Sequence, residues 1–311
     1  MTIGRKVLET YHREGWSGVS SKGMLYLLRY VARLTDTWIT GLEQSNAAYS
    51  LLPEEKALLK RNEIFRNCHQ GWRCFVIGNG PSLKSQDLAL LAGELTFVMS
   101  AFYKHPIVKQ WQPTYYCFAD PLFFDGSEPM KRFFNDLLSA IHTTIYFLPL
   151  QGREVFLRDY LIPTEKIYFV LFRGNLGGSV LGLPDFTRNV PGVQSVSQMA
   201  IMAAMYMGCS PIYLLGLDHD WLAQRGMDRH FYNGTTINGH PVASGNLDAY
   251  SYKSDLMSVL NLWNGYENLN KVAHQHKIQI INATNGGFLD VFPRVKYETL
   301  FDVKNKSVTT N

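Results

Sequence analysis

The stretch Cys74-Phe75-Val76-Ile77-Gly78-Asn79-Gly80-Pro81-Ser82-Leu83 decides how this chain is read. Residues 74–77 are a short apolar, partly β-branched run, the pattern of a parallel strand buried on both faces. Gly78, Asn79 and Gly80 then force a tight turn, because glycine reaches positive φ at no steric cost and leaves the backbone open to a neighbour. Pro81 has no amide hydrogen to lose, Ser82 reads as an N-cap, and residues 84–91 carry a helical apolar pattern. A helix start with free amides attracts a phosphate, so Gly78, Asn79, Gly80, Pro81 and Ser82 are expected to hold a nucleotide. The plain alternative is a strand-to-helix turn that binds nothing.

Two commoner motifs are excluded by the neighbouring residues. A P-loop needs Gly-Lys followed by Ser or Thr, which this turn lacks. A dinucleotide fingerprint needs a glycine where Leu83 stands and an acid after the next strand, which ends instead in Ser100-Ala101.

Outward from the turn, strands are expected at 74–77, 95–100, 114–119, 144–148, 166–172, 212–217 and 278–283, with helices between most of them. That alternation predicts an α/β fold, a Rossmann-like and mainly parallel sheet with helices on both faces. Ligands of such sheets bind beyond the carboxyl ends of the strands. The residues standing there are Asn79, Ser100, Asp120, Asp218-His219-Asp220 and Thr284-Asn285-Gly286-Gly287. Asp and Asn are also ordinary turn residues, but together the set points to a site.

Residues 174–191 hold several glycines and two prolines and read as a long irregular loop. A helix over about 195–207 follows, closed by Gly208. Residues 219–252, with His230, Tyr232, His240 and Tyr252, read as a lid that orders over substrate or as a variable surface loop. The last helix, 253–276, is expected to bury Leu256, Val259, Leu260, Trp263 and Leu269.

Residues 1–70 read as a helical appendage, 71–303 as the nucleotide-binding catalytic domain and 304–311 as a flexible tail. Residues 24–42 suggest an amphipathic helix with Arg29 and Arg33, suited to packing or to oligomer formation; peripheral contact with an anionic membrane is the alternative. Proline and acids at 53–55 open a further helix.

With 311 residues, 46% hydrophobic and 18% charged, the chain can bury a large core, which excludes wholesale disorder. A formal charge of +4 gives no basic stripe for nucleic acid. Cys68, Cys74, Cys117 and Cys209 lack metal spacing and read as reduced buried thiols. No stretch resembles a signal peptide or a membrane span, so a cytoplasmic protein is expected, peripheral to the inner membrane at most.

The turn at 78–83, the helix over 194–207 leading into Gly208-Cys209-Ser210-Pro211-Ile212-Tyr213-Leu214-Leu215-Gly216-Leu217-Asp218-His219, the triplet His230-Phe231-Tyr232, and the tail 281–295 resemble the 6-hydroxymethylpterin diphosphokinase-like family of Rossmann-type proteins. That family includes archaeal pterin pyrophosphokinases and bacterial proteins linked to glycosylation, and the resemblance covers roughly 72–301. More distantly, 78–83, 100–103, 120–124 and 208–218 resemble bacterial lipooligosaccharide sialyltransferases that use CMP-activated sialic acid. This second resemblance implies that Asn79, Ser100 and the Ala119-Asp120 pair lie near nucleotide and donor sugar. Those enzymes carry asparagine where Ser100 and Ala119 stand, and His230 is the best match for their catalytic histidine.

The function expected is therefore glycosyl transfer from a nucleotide-sugar donor, a sialic-acid-like sugar on CMP among them, to a cell-surface glycan or glycoconjugate. His230 is the first candidate for the general base and His219 the second, with Asp218 beside them, since histidine titrates near neutrality. The amides of 80–83 and the tyrosines of the lid would stabilise the leaving group, with no cofactor required. Asp218 and Asp220 offer a magnesium site as the alternative. Two other readings stay open: a magnesium-dependent pyrophosphokinase acting on a pterin alcohol, and a non-catalytic nucleotide-binding subunit of a glycan assembly complex.

Overall fold

A computed structural model describes residues 51–177, 182–223, 230–232 and 252–301, together with Tyr11, His12, Trp16, Ser20, Gly23 and Met24. The chain divides into two compact units, Met1–Tyr49 and Ser50–Asn311. In the first, the described positions are helical and the rings of Tyr11 and Trp16 lie 4.8 Å apart. Apart from Met24, the helix expected over 24–42 lies outside the described residues, as do most of the lid, including His240, and the tail at 304–311. Among the described residues, no helix is long and apolar enough to cross a membrane.

The second unit is built on one sheet of eight strands, β1 (Cys74–Ile77), β2 (Leu95–Met99), β3 (Tyr115–Cys117), β4 (Ile145–Pro149), β5 (Ile167–Arg173), β6 (Asn189–Pro191), β7 (Ile212–Leu215) and β8 (Ile280–Asn282). Their order is β6-β5-β4-β3-β2-β1-β7-β8, and every pairing is parallel. β1 to β3 are buried at every position, as expected of a sheet covered on both faces. Seven of these strands sit where the apolar runs place them. β6 falls inside the expected long loop, because three residues ending in Pro191 make a weak pattern, tolerated only at an edge.

Among the described residues, five α-helices accompany the sheet: α1 (Pro53–Lys60), α2 (Glu128–Ala140), α3 (Arg153–Asp159), α4 (Val196–Tyr206) and α5 (Tyr252–Gln275). Alternation along β1 puts Cys74 and Val76 against α4 and α5, and Phe75 and Ile77 in the opposite core with Phe133, Phe134 and Phe156 of α2 and α3. α4 is buried at every position but the first, so it is apolar all round instead of striped. It ends in a Schellman motif: Gly208, at φ +79, donates to the Met205 carbonyl and Cys209 to that of Ala204, both at 3.0 Å.

Three expectations are corrected. The segment read as helical at 84–91 forms two 3₁₀ turns, Pro81–Ser85 and Leu88–Leu91, separated where Asp87 turns back to accept from the Ala89 amide at 3.0 Å. α5 buries Leu262, Tyr266, Leu269, Val272 and Ala273, while Leu256 and Leu260 of its first half are exposed. Residues 53–70, placed with the appendage, pack into the second unit: Leu59 and Phe65 are core residues, and Asn62 Nδ2 donates to the carbonyls of Phe169 and Phe186. Cys74, Cys117 and Cys209 are buried free thiols, and Cys68 is exposed.

Candidate functional site

Strand order fixes where to look. From β1 the chain builds outward through β2 to β6, then crosses back through α4 to lay β7 on the other side of β1. The order reverses between β1 and β7, and a crevice opens at their carboxyl ends. A cleft of about 520 Å³ occupies that position. It is lined by the ends of β1 (Gly78, Asn79, Gly80), β2 (Met99, Ser100) and β7 (Gly216 to Asp220), with Asp120, the α4 start (Gln194, Ser195, Val196), and His230 and Tyr232.

The turn after β1 is packed against the turn after β7. The amides of Gly78 and Gly80 donate to the carbonyls of Leu215 and Gly216 at 2.8 and 2.9 Å. A Cβ on Gly78 would lie 2.4 Å from the Gly216 oxygen, and one on Gly80 would lie 1.7 Å from Asp218 Oδ2. Both glycines are thus required by close approach. Gly80 has an ordinary φ of −64°, and the positive φ of the pair of turns falls on Gly216, at +62°.

This packing overturns the expected phosphate cradle. The Ser82 amide and hydroxyl donate to the Asp218 carboxylate at 3.1 and 2.8 Å, and the Leu83 amide donates to the Gly80 carbonyl at 3.2 Å. Gly80, Ser82 and Leu83 therefore have no free amide to offer, and Pro81 has none by nature. The Asp218 carboxylate stands where an anionic ligand was expected, at the start of a 3₁₀ turn too short for a helix dipole. Pro81 and Ser82 do not line the cleft.

Asn285 and Gly286 are likewise elsewhere, in a separate depression with Gln86, Arg294 and Lys296. Their stretch braces the β7 turn from behind. The Phe288 amide donates to the Asp218 carbonyl at 2.7 Å, and a Cβ on Gly287 would lie 2.6 Å from that oxygen.

The other candidates converge. Asn79, 8% exposed, donates from Nδ2 to the Met99 carbonyl at 3.1 Å, and its Oδ1 accepts nothing among the described residues. Ser100 closes β2 at a left-handed φ of +49°. Asp120 accepts from the Leu122 amide at 2.9 Å and caps the 3₁₀ turn Pro121–Phe124, so turn chemistry accounts for its carboxylate. His219 is also left-handed, at +49°, and its Nε2 lies 2.8 Å from the Tyr266 hydroxyl. Two non-glycine residues held at positive φ on one cleft wall mark the strain that functional sites retain.

Residues 230–232 dock on the glycine turn. The Phe231 amide donates to the Asn79 carbonyl at 2.8 Å, and its ring packs edge-on against His105 at 5.0 Å. With Phe231 anchored, His230 and Tyr232 stand at the cleft, their rings stacked 4.9 Å apart. Lys104 Nζ lies 5.2 Å over the Tyr232 ring.

Burial dominates the electrostatics. It raises the Asp218 carboxyl above the ordinary range, although the Ser82 bonds pull it back. Burial also lowers His219 to about 4, so this ring is neutral at pH 7 and poorly matched to a general base. Asp120, Asp218 and Asp220 make the lining acidic. Among the described residues, no three His, Cys, Asp or Glu side chains gather as a metal site.

The sequence places a helix start at about 195 but does not mark it as part of the site. Ser195 caps α4 through its hydroxyl, which accepts from the Ser197 amide at 3.4 Å, and Gln194 and Val196 line the cleft beside it. The long α-helix whose N-terminus reaches the site is thus the crossover helix. Its Ser-x-Ser start, Ser195 and Ser197, is a visible N-cap signal.

No family model matches the chain, and no curated protein does. The likeness to the pterin diphosphokinase-like family rests on its motifs alone. Among solved structures, the chain is similar to the sialyltransferase CstII from Campylobacter jejuni in complex with a substrate analogue, cytidine-5'-monophosphate. The identity is 15%, over 73% of this chain and 85% of that one, with a TM-score of 0.41. For the complex of CstII with CMP-3FNeuAc the values are 14%, 72%, 86% and 0.42. At that identity and TM-score the likeness carries no functional weight.

Proposed function

We propose that the protein is a glycosyltransferase whose nucleotide-sugar donor lies in the crevice between β1 and β7, with His230 as the general base. The observation that carries this reading is the Phe231-to-Asn79 hydrogen bond, which holds His230 at the cleft against the glycine turn after β1. His230 takes the proton of the acceptor hydroxyl; that oxygen bonds to the anomeric carbon as the glycosyl–phosphate bond breaks, and the nucleotide leaves with the bonding pair.

The leaving phosphate belongs at the α4 start. The Ser195 hydroxyl, at the positive end of α4, can meet it there; the Gln194, Ser197 and Gln198 amides already donate to Gln198 Oε1, Ser195 Oγ and the Ser195 carbonyl, and the glycine turn is closed. Three carboxylates in the lining repel a triphosphate more strongly than a single phosphodiester. This favours a CMP-type donor, with a sialic-acid-like sugar, over ATP. Asp218 already accepts from Ser82 with both oxygens, which leaves Asp220 a weak partner for magnesium. The acceptor is a glycan or glycoconjugate.

The test is a thermal-shift panel of CMP, CDP, UDP, GDP and ATP, with and without magnesium, followed by hydrolysis of CMP-sialic acid. A metal-independent CMP shift is expected. His230→Ala should keep the shift and lose turnover by about 10²- to 10⁴-fold. A shift with ATP alone, dependent on magnesium, would replace this reading with the pyrophosphokinase; a CMP shift with turnover intact in His230→Ala would remove the base.

A further inference from the structure

A buried chain of hydrogen bonds joins two points of the cleft wall. His219 Nε2 lies 2.8 Å from Tyr266 Oη, Tyr266 Oη 2.6 Å from Ser197 Oγ, and Ser197 Oγ 2.7 Å from Ser195 Oγ. Ser197 and Tyr266 are 0% exposed, while His219 and Ser195 reach the cleft. The two helices that supply it, α4 and α5, are locked together nearby: Gln198 Nε2 donates to the Leu262 carbonyl at 2.9 Å.

Every member of this chain can donate or accept, so its protons have two concerted arrangements. When His219 carries its proton on Nε2, it donates to Tyr266, Tyr266 to Ser197 and Ser197 to Ser195, whose own hydrogen then points away from the chain. When the proton sits on Nδ1, every bond reverses, and Ser195 offers only a lone pair outward. The Ser197 amide on Ser195 Oγ occupies a lone pair in either case. An anion accepts and never donates, so it selects the first arrangement.

We infer that His219, Tyr266 and Ser197 are positioning residues, whose hydrogen-bonded chain turns the Ser195 hydroxyl into a donor aimed at the anionic group of the bound nucleotide. The inference rests on the reading that this group lies at the start of α4. His219 supplies the chain with a neutral end that can switch tautomer, without placing a charge behind the hydroxyl.

The experiment uses the full chain with CMP as probe. CMP binding to the wild type is expected to set His219 in the Nε2-protonated tautomer, read from its ring nitrogen shifts in ¹⁵N-histidine-labelled protein. Tyr266→Phe keeps the ring and cuts the chain; it should weaken CMP about tenfold and abolish the CMP-dependent change at His219. Ser195→Ala should weaken CMP by a similar factor, and the double variant should lose no more than either single one. Ser197→Ala cuts the next link without touching the aromatic packing and should repeat the result should Tyr266→Phe fail to fold. If CMP binds wild type and variants alike, or the two losses add, the chain has no such role. If CMP does not bind the wild type, the nucleotide reading falls and takes the chain's role with it.

Discussion

A methyl group added at Gly80 would meet Asp218 Oδ2 at 1.7 Å and the Gly216 carbonyl at 2.7 Å. Since φ at this residue is −64°, alanine is conformationally acceptable there and would stiffen the unfolded chain, a gain of about 0.4–1 kcal/mol. Overpacking against a backbone carbonyl and a carboxylate costs about 1–3 kcal/mol or more and wins. Gly80→Ala is expected to lower the urea midpoint and to separate Asp218 from Ser82. A different effect governs His219. Its pKa is depressed to about 4 from 6.5, so the unfolded chain binds the extra proton first, and stability is lost as pH falls from about 6.5 towards 4. The loss is on the order of 3 kcal/mol at most, since part of the ring borders the cleft. Asp218, raised, works in the opposite direction above the ordinary carboxylate range, so the informative quantity is a difference. Between pH 7 and 4.5, His219→Gln should show a shallower fall in urea-unfolding free energy than the wild type. Equal slopes would mean that the ring is solvated.

Among the elements, α5 tests whether helix propensity or packing decides. Gly265 lies mid-helix, where alanine would gain about 1 kcal/mol of propensity. Its Cβ would, however, sit 2.3 Å from Gln198 Nε2, on a fully buried side chain that bonds Leu262. A buried amide displaced from its partner costs about 1–3 kcal/mol. Gly265→Ala should therefore destabilise by roughly 1–2 kcal/mol, and a rise in melting temperature would refute the close helix contact. Elements were legible in the sequence where one strong local pattern decided them. The apolar runs at 74–77 and 212–215 are strands, and Gly208 ends α4. The same patterns misled where tertiary contacts decided the outcome. The glycines at 78 and 80 read as positive-φ residues but serve as space, Gly78 for the Gly216 carbonyl and Gly80 for Asp218, a partner 138 positions beyond it that no local rule connects. The cleft-lining candidates Asn79, Ser100, Asp120 and Asp218 to Asp220 stood out because strand ends concentrate function, whereas His230 stood out through the resemblance. The α4 start was legible at about 195 but not as part of the site, because its strand, β6, was too short to announce an end.

At the scale of the whole molecule, a ligand that binds only the folded second unit should stabilise it by mass action. CMP at a hundredfold excess over its Kd gives about 2.7 kcal/mol, or a rise in melting temperature of roughly 5 °C for a unit of this size. No rise at that excess would mean that the crevice is not a nucleotide site. The unit also draws on chain that precedes its first strand. The amides of Asn67, His69 and Gly71 donate to the carbonyls of Tyr206, Met207 and Gly208, all within 3.0 Å, so the end of α4 is stitched to a segment that looks dispensable from its sequence. Anyone recloning this gene for crystallisation should set the 5′ boundary upstream of codon 51. A fragment opening at codon 72 would be born with three orphaned acceptors and without the Leu59 and Phe65 plugs, and would be expected in the pellet.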